Sequence, residues 1–251
     1  MSIRSAVHAA LFAIPWRLPP DASLQGHAID RQMLLSIWIV LALLAFAHLI
    51  LLVGLFARRS HARTSLWLFE YLPLLALAIL FATLTVRAER LWAASRYTGA
   101  SLTALQVGVT GVQFAWYFHY PGPDATFGHT RPQLIAPGEG NPLGLDPADP
   151  HSTDDFVSSE LVLPVNREVD LGITSQDVIH GFAVPDMRLK QNAVPGEIIH
   201  IHFTPTVPGT YAILCTQLCG MGHYRMNANL RVVTQAQFAT WLAAREKVAQ
   251  P

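Results

Sequence analysis

The sequence predicts an N-terminal two-helix transmembrane hairpin followed by an all-β domain built as a sandwich or barrel. Three observations carry that expectation. Apolar residues are concentrated before residue 87, in a chain that is 51% hydrophobic and only 14% charged; roughly a quarter of residues are charged in an ordinary soluble domain. Two of these apolar stretches are each long enough to cross a bilayer. Beyond residue 101 the pattern changes to short β-branched and aromatic runs broken by Pro and Gly. No helical pattern separates those runs, as a parallel α/β sheet would require.

The N-terminal segment, residues 1–32, holds one short apolar run, AALFAIPW (residues 9–16), too brief to span and suited to lie at a membrane surface. Residues 33–56, MLLSIWIVLALLAFAHLILLVGLF, carry no formal charge, and residues 66–86, LWLFEYLPLLALAILFATLTV, carry one acid, Glu70. About 20 predominantly apolar residues cross the hydrocarbon core, so residues 33–86 read as a hairpin of two spans. A cleaved signal peptide does not fit, because the first long apolar run starts late and a second follows. The connection ARRSHARTS (residues 57–65) has Arg58, Arg59 and Arg63 and no acid, which favours the cytoplasm. Arg87, Arg90 and Arg96 after the second span pull weakly the other way. Two spans put both termini on one side, and residues 87–251 are expected on the periplasmic or outer face of a bacterial inner membrane.

Residues 87–100 serve as a linker and residues 101–234 as the β domain. The expected strands are 107–120 (VGVTGVQFAWYFHY), 160–165, 169–174, 197–203, 210–215 and 229–233, with GPD, VPG and VPGT supplying turns. Residues 121–159, rich in Pro, Gly and Asp, form either a long ordered loop or a mobile insertion. The C-terminal segment, residues 235–251, places Phe238, Trp241 and Leu242 at i, i+3 and i+4. That spacing makes a short amphipathic helix packed on the barrel. Lysine plus arginine equals aspartate plus glutamate at 17 each, which leaves no long-range field to recruit a nucleic acid.

The chemistry is concentrated in CTQLCGMGHYRM, residues 215–226, which holds both cysteines of the chain. Cys215, Cys219, His223 and Met226 follow one another at offsets of four, four and three, on a loop between two expected strands. In an oxidising compartment two cysteines suit a disulfide. Two cysteines with two histidines suit tetrahedral zinc. Thiolate, imidazole and thioether together suit copper. A second histidine, His180, closes the strand-like stretch SQDVIHGF. A mononuclear copper site leaves one cysteine over, whereas two bridging thiolates between two coppers use both.

These residues resemble subunit II of the haem-copper oxidase family, whose pattern runs DVxHxF, PG, then C-x3-C-G-x2-H-x2-M. Asp177, Val178, His180 and Phe182, Pro195 and Gly196, and Cys215, Cys219, Gly220, His223 and Met226 match it in turn. The resemblance implies a cupredoxin-like Greek-key barrel holding a binuclear Cu-A centre. In it Cys215 and Cys219 bridge two copper ions, and His180 and His223 each cap one. Met226 and the backbone carbonyl of Gln217 are the axial ligands. It also implies that the chain accepts electrons without a complete catalytic site of its own. The donor is a cytochrome c or small copper protein, since no C-x2-C-H motif is present to hold haem c. The acceptor is haem in subunit I of a membrane complex with further subunits, where oxygen is reduced to water.

The pattern departs from the family at two positions. Gln217 stands where many members have a glutamate that helps to bind magnesium, so a magnesium contribution is doubtful. This glutamine-bearing loop also resembles that of some nitric oxide reductases, and a Cu-A subunit of such an enzyme, or a membrane-tethered copper-binding protein, is the alternative reading. Phe114 replaces the tryptophan associated with electron uptake, which leaves Trp116 as a candidate electron relay or docking residue. Glu70 is a candidate for proton uptake, being an acid inside a span. His48 is expected to pack against another helix, and Arg188 and Lys190 are candidates to face the haem-bearing subunit.

Overall fold

The computed structural model describes residues 18–56 and 66–249. AALFAIPW, the ARRSHARTS connection and the last two residues therefore lie outside the described residues. The chain divides into two units, residues 27–99 and the remainder.

The first unit is helical. α1 runs Gly26–Phe56 and α2 runs Leu66–Ala93, both longer than the apolar runs 33–56 and 66–86. Their most apolar windows are entirely unburied by the chain itself. An exposed apolar surface of this size is stable in lipid and not in water. Just outside the two apolar runs, Arg87 donates to Gln32 Oε1 at 3.1 Å and ties the helices together. His48 Nδ1 lies 2.8 Å from Leu44 O, one turn back on its own helix, so the ring is satisfied locally and does not need a neighbouring helix. Pro73 sits inside α2.

The second unit is a two-sheet β-barrel. Its strands are β1 (Leu105–Val112), β2 (Ala115–Tyr120), β3 (Phe156–Ser158), β4 (Leu161–Pro164), β5 (Val169–Ser175), β6 (His180–Val184), β7 (Leu189–Ala193), β8 (Ile199–Phe203), β9 (Gly209–Cys215) and β10 (Asn227–Val233). One sheet has the order β3-β2-β1-β5-β8 and the other β4-β10-β9-β6-β7. The neighbours are antiparallel except for β1 with β5 and β4 with β10. The stretch 107–120, expected as one strand, is a hairpin: Val112 pairs with Ala115 across Gln113 and Phe114. Its unbroken run of β-formers conceals the turn, because neither Gln nor Phe is a turn signal. His180 opens β6, contrary to the expectation that it closes a strand.

Apolar side chains alternate inward along both sheets. Val107, Val109, Phe118, Leu171, Ile173, Phe182, Ile201, Ile213 and Leu230 are at most 1% exposed. Burying each such side chain stabilises the fold by about 1.5–3 kcal/mol. Tyr120 joins the two sheets, its hydroxyl donating to Val162 O at 3.0 Å and accepting from Val162 N at 2.8 Å. Burial pushes that phenol well above its ordinary value, so it stays a neutral hydrogen-bonding group. α3 (Gln235–Ala249) lays Trp241 edge-on against Tyr120 and Phe156.

Residues 121–155 form a loop with three short helical turns that leads into β3. Its polar residues hold it together. Buried Asp155 accepts from the His119 ring at 2.6 Å and from the amides of Gly122 and Gly128. Asp149 accepts from the ring and amide of His129. Asp124 pairs with His151 at 2.6 Å, and Asp146 with Arg131 at 2.8 Å.

Ahead of α1, residues 18–25 bind to the barrel. Ala22 N donates to Asp186 O, Thr206 N to Ala22 O, and Ser23 Oγ to Met187 O. Arg188 donates to the carbonyls of Pro185 and Pro19, each at 2.7 Å. Lys190 donates to Asn192 Oδ1 at 2.6 Å. The guanidinium of Arg188 is thus engaged in holding the N-terminal segment, an order that no sequence pattern announced.

Candidate metal centre

Three neighbouring strands of one sheet, β10, β9 and β6, bring the candidate ligands together. β9 ends at Cys215 and β10 begins after Met226. The loop between them closes at its base, where Cys215 N donates to Met226 O at 3.2 Å. On the other side of β9, Phe182 of β6 pairs with Cys215. That register sets His180, two residues before Phe182, beside the cysteine loop. Thr216 N donates to Gly181 O at 2.8 Å and continues the contact beyond the strands.

Cys215 Sγ and Cys219 Sγ are 3.7 Å apart. Both cysteines are free, so the disulfide alternative is not realised. Cys219 Sγ is also 3.7 Å from His223 Nδ1 and 3.7 Å from Met226 Sδ, while Cys215 Sγ is 3.2 Å from Gln217 O. One ligand atom each from His180, Cys215 and Cys219 lies within 4.8 Å of the others. Six potential donors of the sequence reading, from His180, Cys215, Gln217, Cys219, His223 and Met226, are thus linked by short contacts around one pair of sulfurs.

The environment of His180 shows which of its atoms is free to bind. The ring is fully buried. Nε2 is 2.8 Å from Asp177 Oδ1, an arrangement that assigns the proton to Nε2 and leaves Nδ1 as the base. Nδ1 is buried and has no hydrogen-bond partner among the described residues. A buried polar atom without a partner costs roughly 1–3 kcal/mol, and a metal ion would satisfy it. Burial acts to raise the Asp177 carboxyl, but donors from His180, Gln113 and Val178 outweigh it and hold the group below its ordinary value. Asp177 therefore remains an acceptor for the imidazole. The space for the ring is created at Gly111. A Cβ there would stand 2.8 Å from His180 Cδ2 and 3.1 Å from Trp116 Cζ3.

Burial, followed by the hydrogen bond and charge of Cys215, pushes the Cys219 thiol up to about 11. Metal binding must displace that proton. The donors fit copper better than zinc: two soft thiols, two imidazoles and a buried thioether form a set that copper favours. Met226 is only 2% exposed, and its Sδ is directed at Cys219 Sγ, a placement that suits both apolar packing and a soft-metal donor.

Other sequence-predicted residues fall elsewhere. Trp116 is 2% exposed and lies edge-on to His180 and Phe182, with ring centroids 5.8 and 5.3 Å away. A ring enclosed in the core offers no docking surface, so that half of its expected role is withdrawn; its contact with His180 remains. Glu70 is exposed on α2, in the other unit. Asp177 and Gln113 appeared in the sequence only as parts of motifs, DVxHxF and Gln-Phe-x-Trp, and Gly111 carried no signal. All three act through geometry that the sequence does not spell out.

A family model for the cytochrome c oxidase subunit II periplasmic domain matches residues 105–233, just over half of the chain. The chain is 36% identical over 148 residues to the alternative cytochrome c oxidase subunit 2 of Bradyrhizobium diazoefficiens, covering 58% of this chain and 53% of that protein. It is 32% identical over 144 residues to cytochrome c oxidase subunit 2 of Cereibacter sphaeroides, covering 54% and 48% respectively. A crystal structure of the periplasmic domain of subunit II of cytochrome oxidase from Bradyrhizobium japonicum aligns at 26% identity and a TM-score of 0.43, over 59% of this chain and 98% of that one. The chain spans about half the length of these curated relatives. Because that family model covers residues 105–233, from the start of β1 to the end of β10, the chain belongs to the cytochrome c oxidase subunit II family.

Proposed function

We propose that this chain is the electron-uptake subunit of a haem-copper terminal oxidase, with a binuclear copper centre where β6 begins and β9 ends. At family level it is a membrane-spanning, copper-associated subunit whose barrel lies in the periplasm, held to the inner membrane by α1 and α2. The observation that carries the finer reading is the meeting of two free thiols with an orphaned, buried imidazole nitrogen.

In this reading the thiolates of Cys215 and Cys219, Nδ1 of His180 and the His223 imidazole would hold the two copper ions, with Met226 Sδ and the Gln217 carbonyl as the weaker donors. The chemistry supplied at such a centre is reversible one-electron exchange, from a cytochrome c or small copper protein to haem in a large membrane subunit that reduces oxygen to water. The chain's own contribution is rigidity. β6, β9 and β10 fix the ligand loops in register, Asp177 holds the His180 tautomer, and the buried core around Trp116 and Phe182 excludes water. Little can move when the charge at the centre changes, and that keeps electron exchange fast.

Gln217 makes this a glutamine-bearing variant of the family loop. The contact with Cys215 uses the Gln217 backbone carbonyl, so it does not depend on the side chain. A neutral amide supplies no carboxylate to magnesium, and no magnesium ligand is assigned to it.

The test is copper counting with electron paramagnetic resonance on the purified full chain reconstituted in detergent. Two coppers per chain and a seven-line mixed-valence spectrum are expected. Cys215→Ser and Cys219→Ser should each abolish that spectrum. One copper with a four-line spectrum, or a native spectrum in either serine variant, would overturn the assignment.

A further inference from the structure

The turn between β1 and β2 carries no proposed ligand, yet it touches both ligand-bearing loops. Gln113 N donates to Asp177 Oδ2 at 2.7 Å, and Gln113 Nε2 donates to Cys219 O at 2.6 Å. Asp177 in turn holds the His180 ring through Oδ1. A continuous hydrogen-bonded path therefore runs from His180 through Asp177 and Gln113 to Cys219. It crosses between the two sheets, because β1 and β2 belong to one and β6 and β9 to the other.

The next residue strengthens the contact. Gly220 has φ of +133°, a conformation that side chains rarely adopt. A Cβ at Gly220 would stand 2.8 Å from the Gln113 amide nitrogen, and one at Gly222 would run into the Phe114 ring. The two glycines thus form a side-chain-free slot in the cysteine loop, filled by the Gln113 amide and the Phe114 ring. Arg225, from the same loop, closes over the outer face of that ring at 5.9 Å.

We infer that Gln113 is a positioning residue for the metal centre. Its amide and backbone, seated with Phe114 in the glycine slot, set the distance between the His180 side of the site and the Cys219–His223 loop. The assignment rests on the proposed copper function for its consequence, but its geometry is a property of the chain itself. Phe114 thereby acts as a packing element of the clamp, at the position where the family resemblance led to an expectation of an electron-uptake tryptophan.

The test compares wild type with Gln113→Met, which keeps the shape and length of the side chain and removes the donor. The backbone bond to Asp177 remains. Two readouts are taken on the full chain in detergent. The first is amide hydrogen exchange of residues 216–226 without metal. Losing one partly buried hydrogen bond should speed exchange about fivefold there, while the β1, β5 and β10 amides keep their rates. The second is the copper-loaded protein. The variant should still bind two coppers, with altered hyperfine splitting, a shifted midpoint potential and release to a Cu(I) chelator about fivefold faster. A merely structural side chain would leave the splitting and potential unchanged. Unchanged exchange together with an unchanged spectrum would overturn the inference. If wild type bound a single copper, the copper reading would fall; the clamp would then stand or fall on the exchange rates of the metal-free chain.

Discussion

Replacing Asp177 by Asn tests how far the centre depends on a residue that is not itself a proposed ligand. The carboxylate accepts from Val178 N at 2.7 Å and His180 Nε2 at 2.8 Å through Oδ1, and from Gln113 N at 2.7 Å through Oδ2. An amide has one acceptor oxygen. If the Asn oxygen takes the place of Oδ1, the Gln113 N–H faces an NH2 group and loses its partner. If the amide is turned over, both Val178 and His180 lose theirs. The first arrangement is the cheaper and sacrifices one hydrogen bond to a charged group, about 1.5–3 kcal/mol. It also removes the negative charge that fixes the His180 proton on Nε2. An imidazole free to carry that proton on Nδ1 cannot bind a metal through Nδ1. Removing such a partner typically lowers metal affinity about 10- to 100-fold, which corresponds to about 1.4–2.8 kcal/mol. The first cost falls on folding stability and the second on copper affinity. Competition with a copper chelator, on the full chain in detergent, measures the affinity directly. An affinity within twofold of wild type would refute the role given to Asp177.

Two further outcomes follow from particular contacts. Gly111→Ala inserts a methyl group 2.8 Å from His180 Cδ2, where both His180 and Trp116 are enclosed. Overpacking of this kind costs about 1–3 kcal/mol, so chemical unfolding of the metal-free chain should show that loss, and copper affinity should fall with it; unchanged unfolding would mean the ring has room that the structure does not give it. The loop 121–155 should be tightest in mildly acidic solution. Hydrogen bonds from the His129 amide and ring depress Asp149 from 3.8 to about 2, and the bond to Asp124 raises His151 above 6.5. A depressed carboxylate stabilises the fold above its unfolded value and loses that effect as pH falls through the folded one, whereas a raised histidine stabilises below its unfolded value and loses it as pH rises. Both contacts are therefore complete between about pH 4 and 6.5. The His129 amide resonance should titrate with a midpoint near 2; a midpoint near 4 would mean that its contacts with Asp149 are absent in solution.

Much of the architecture was legible because hydrophobic periodicity is a local property. The uncharged run 33–56 and the nearly uncharged run 66–86 had to be lipid-covered helices, and the β-branched stretches had to be strands, whatever lay around them. The missed features have a common cause. The Gln113–Phe114 turn is hidden in a run of strand-forming residues, and only pairing of Val112 with Ala115 exposes it. β7 reads LKQNA, too polar to stand out, and is held in place by β6. Residues 18–25 are ordered by backbone groups of the barrel, which a sequence does not display. The sequence offers Trp116 as a relay or docking residue, and only packing encloses its ring beside His180 and Phe182.

By itself the sequence determined the inventory: two lipid-facing helices, a set of strands, and two cysteines, two histidines and a methionine capable of binding a soft metal. It determined this because charge, hydropathy and donor chemistry belong to each residue alone. Only the tertiary structure decided that β6 and β9 stand side by side, that the thiols stay apart, that Nδ1 of His180 is the free nitrogen, and that Gln113 reaches both ligand loops. Those are distances between residues far apart in the chain, set by strand register and close packing, and no single residue encodes them.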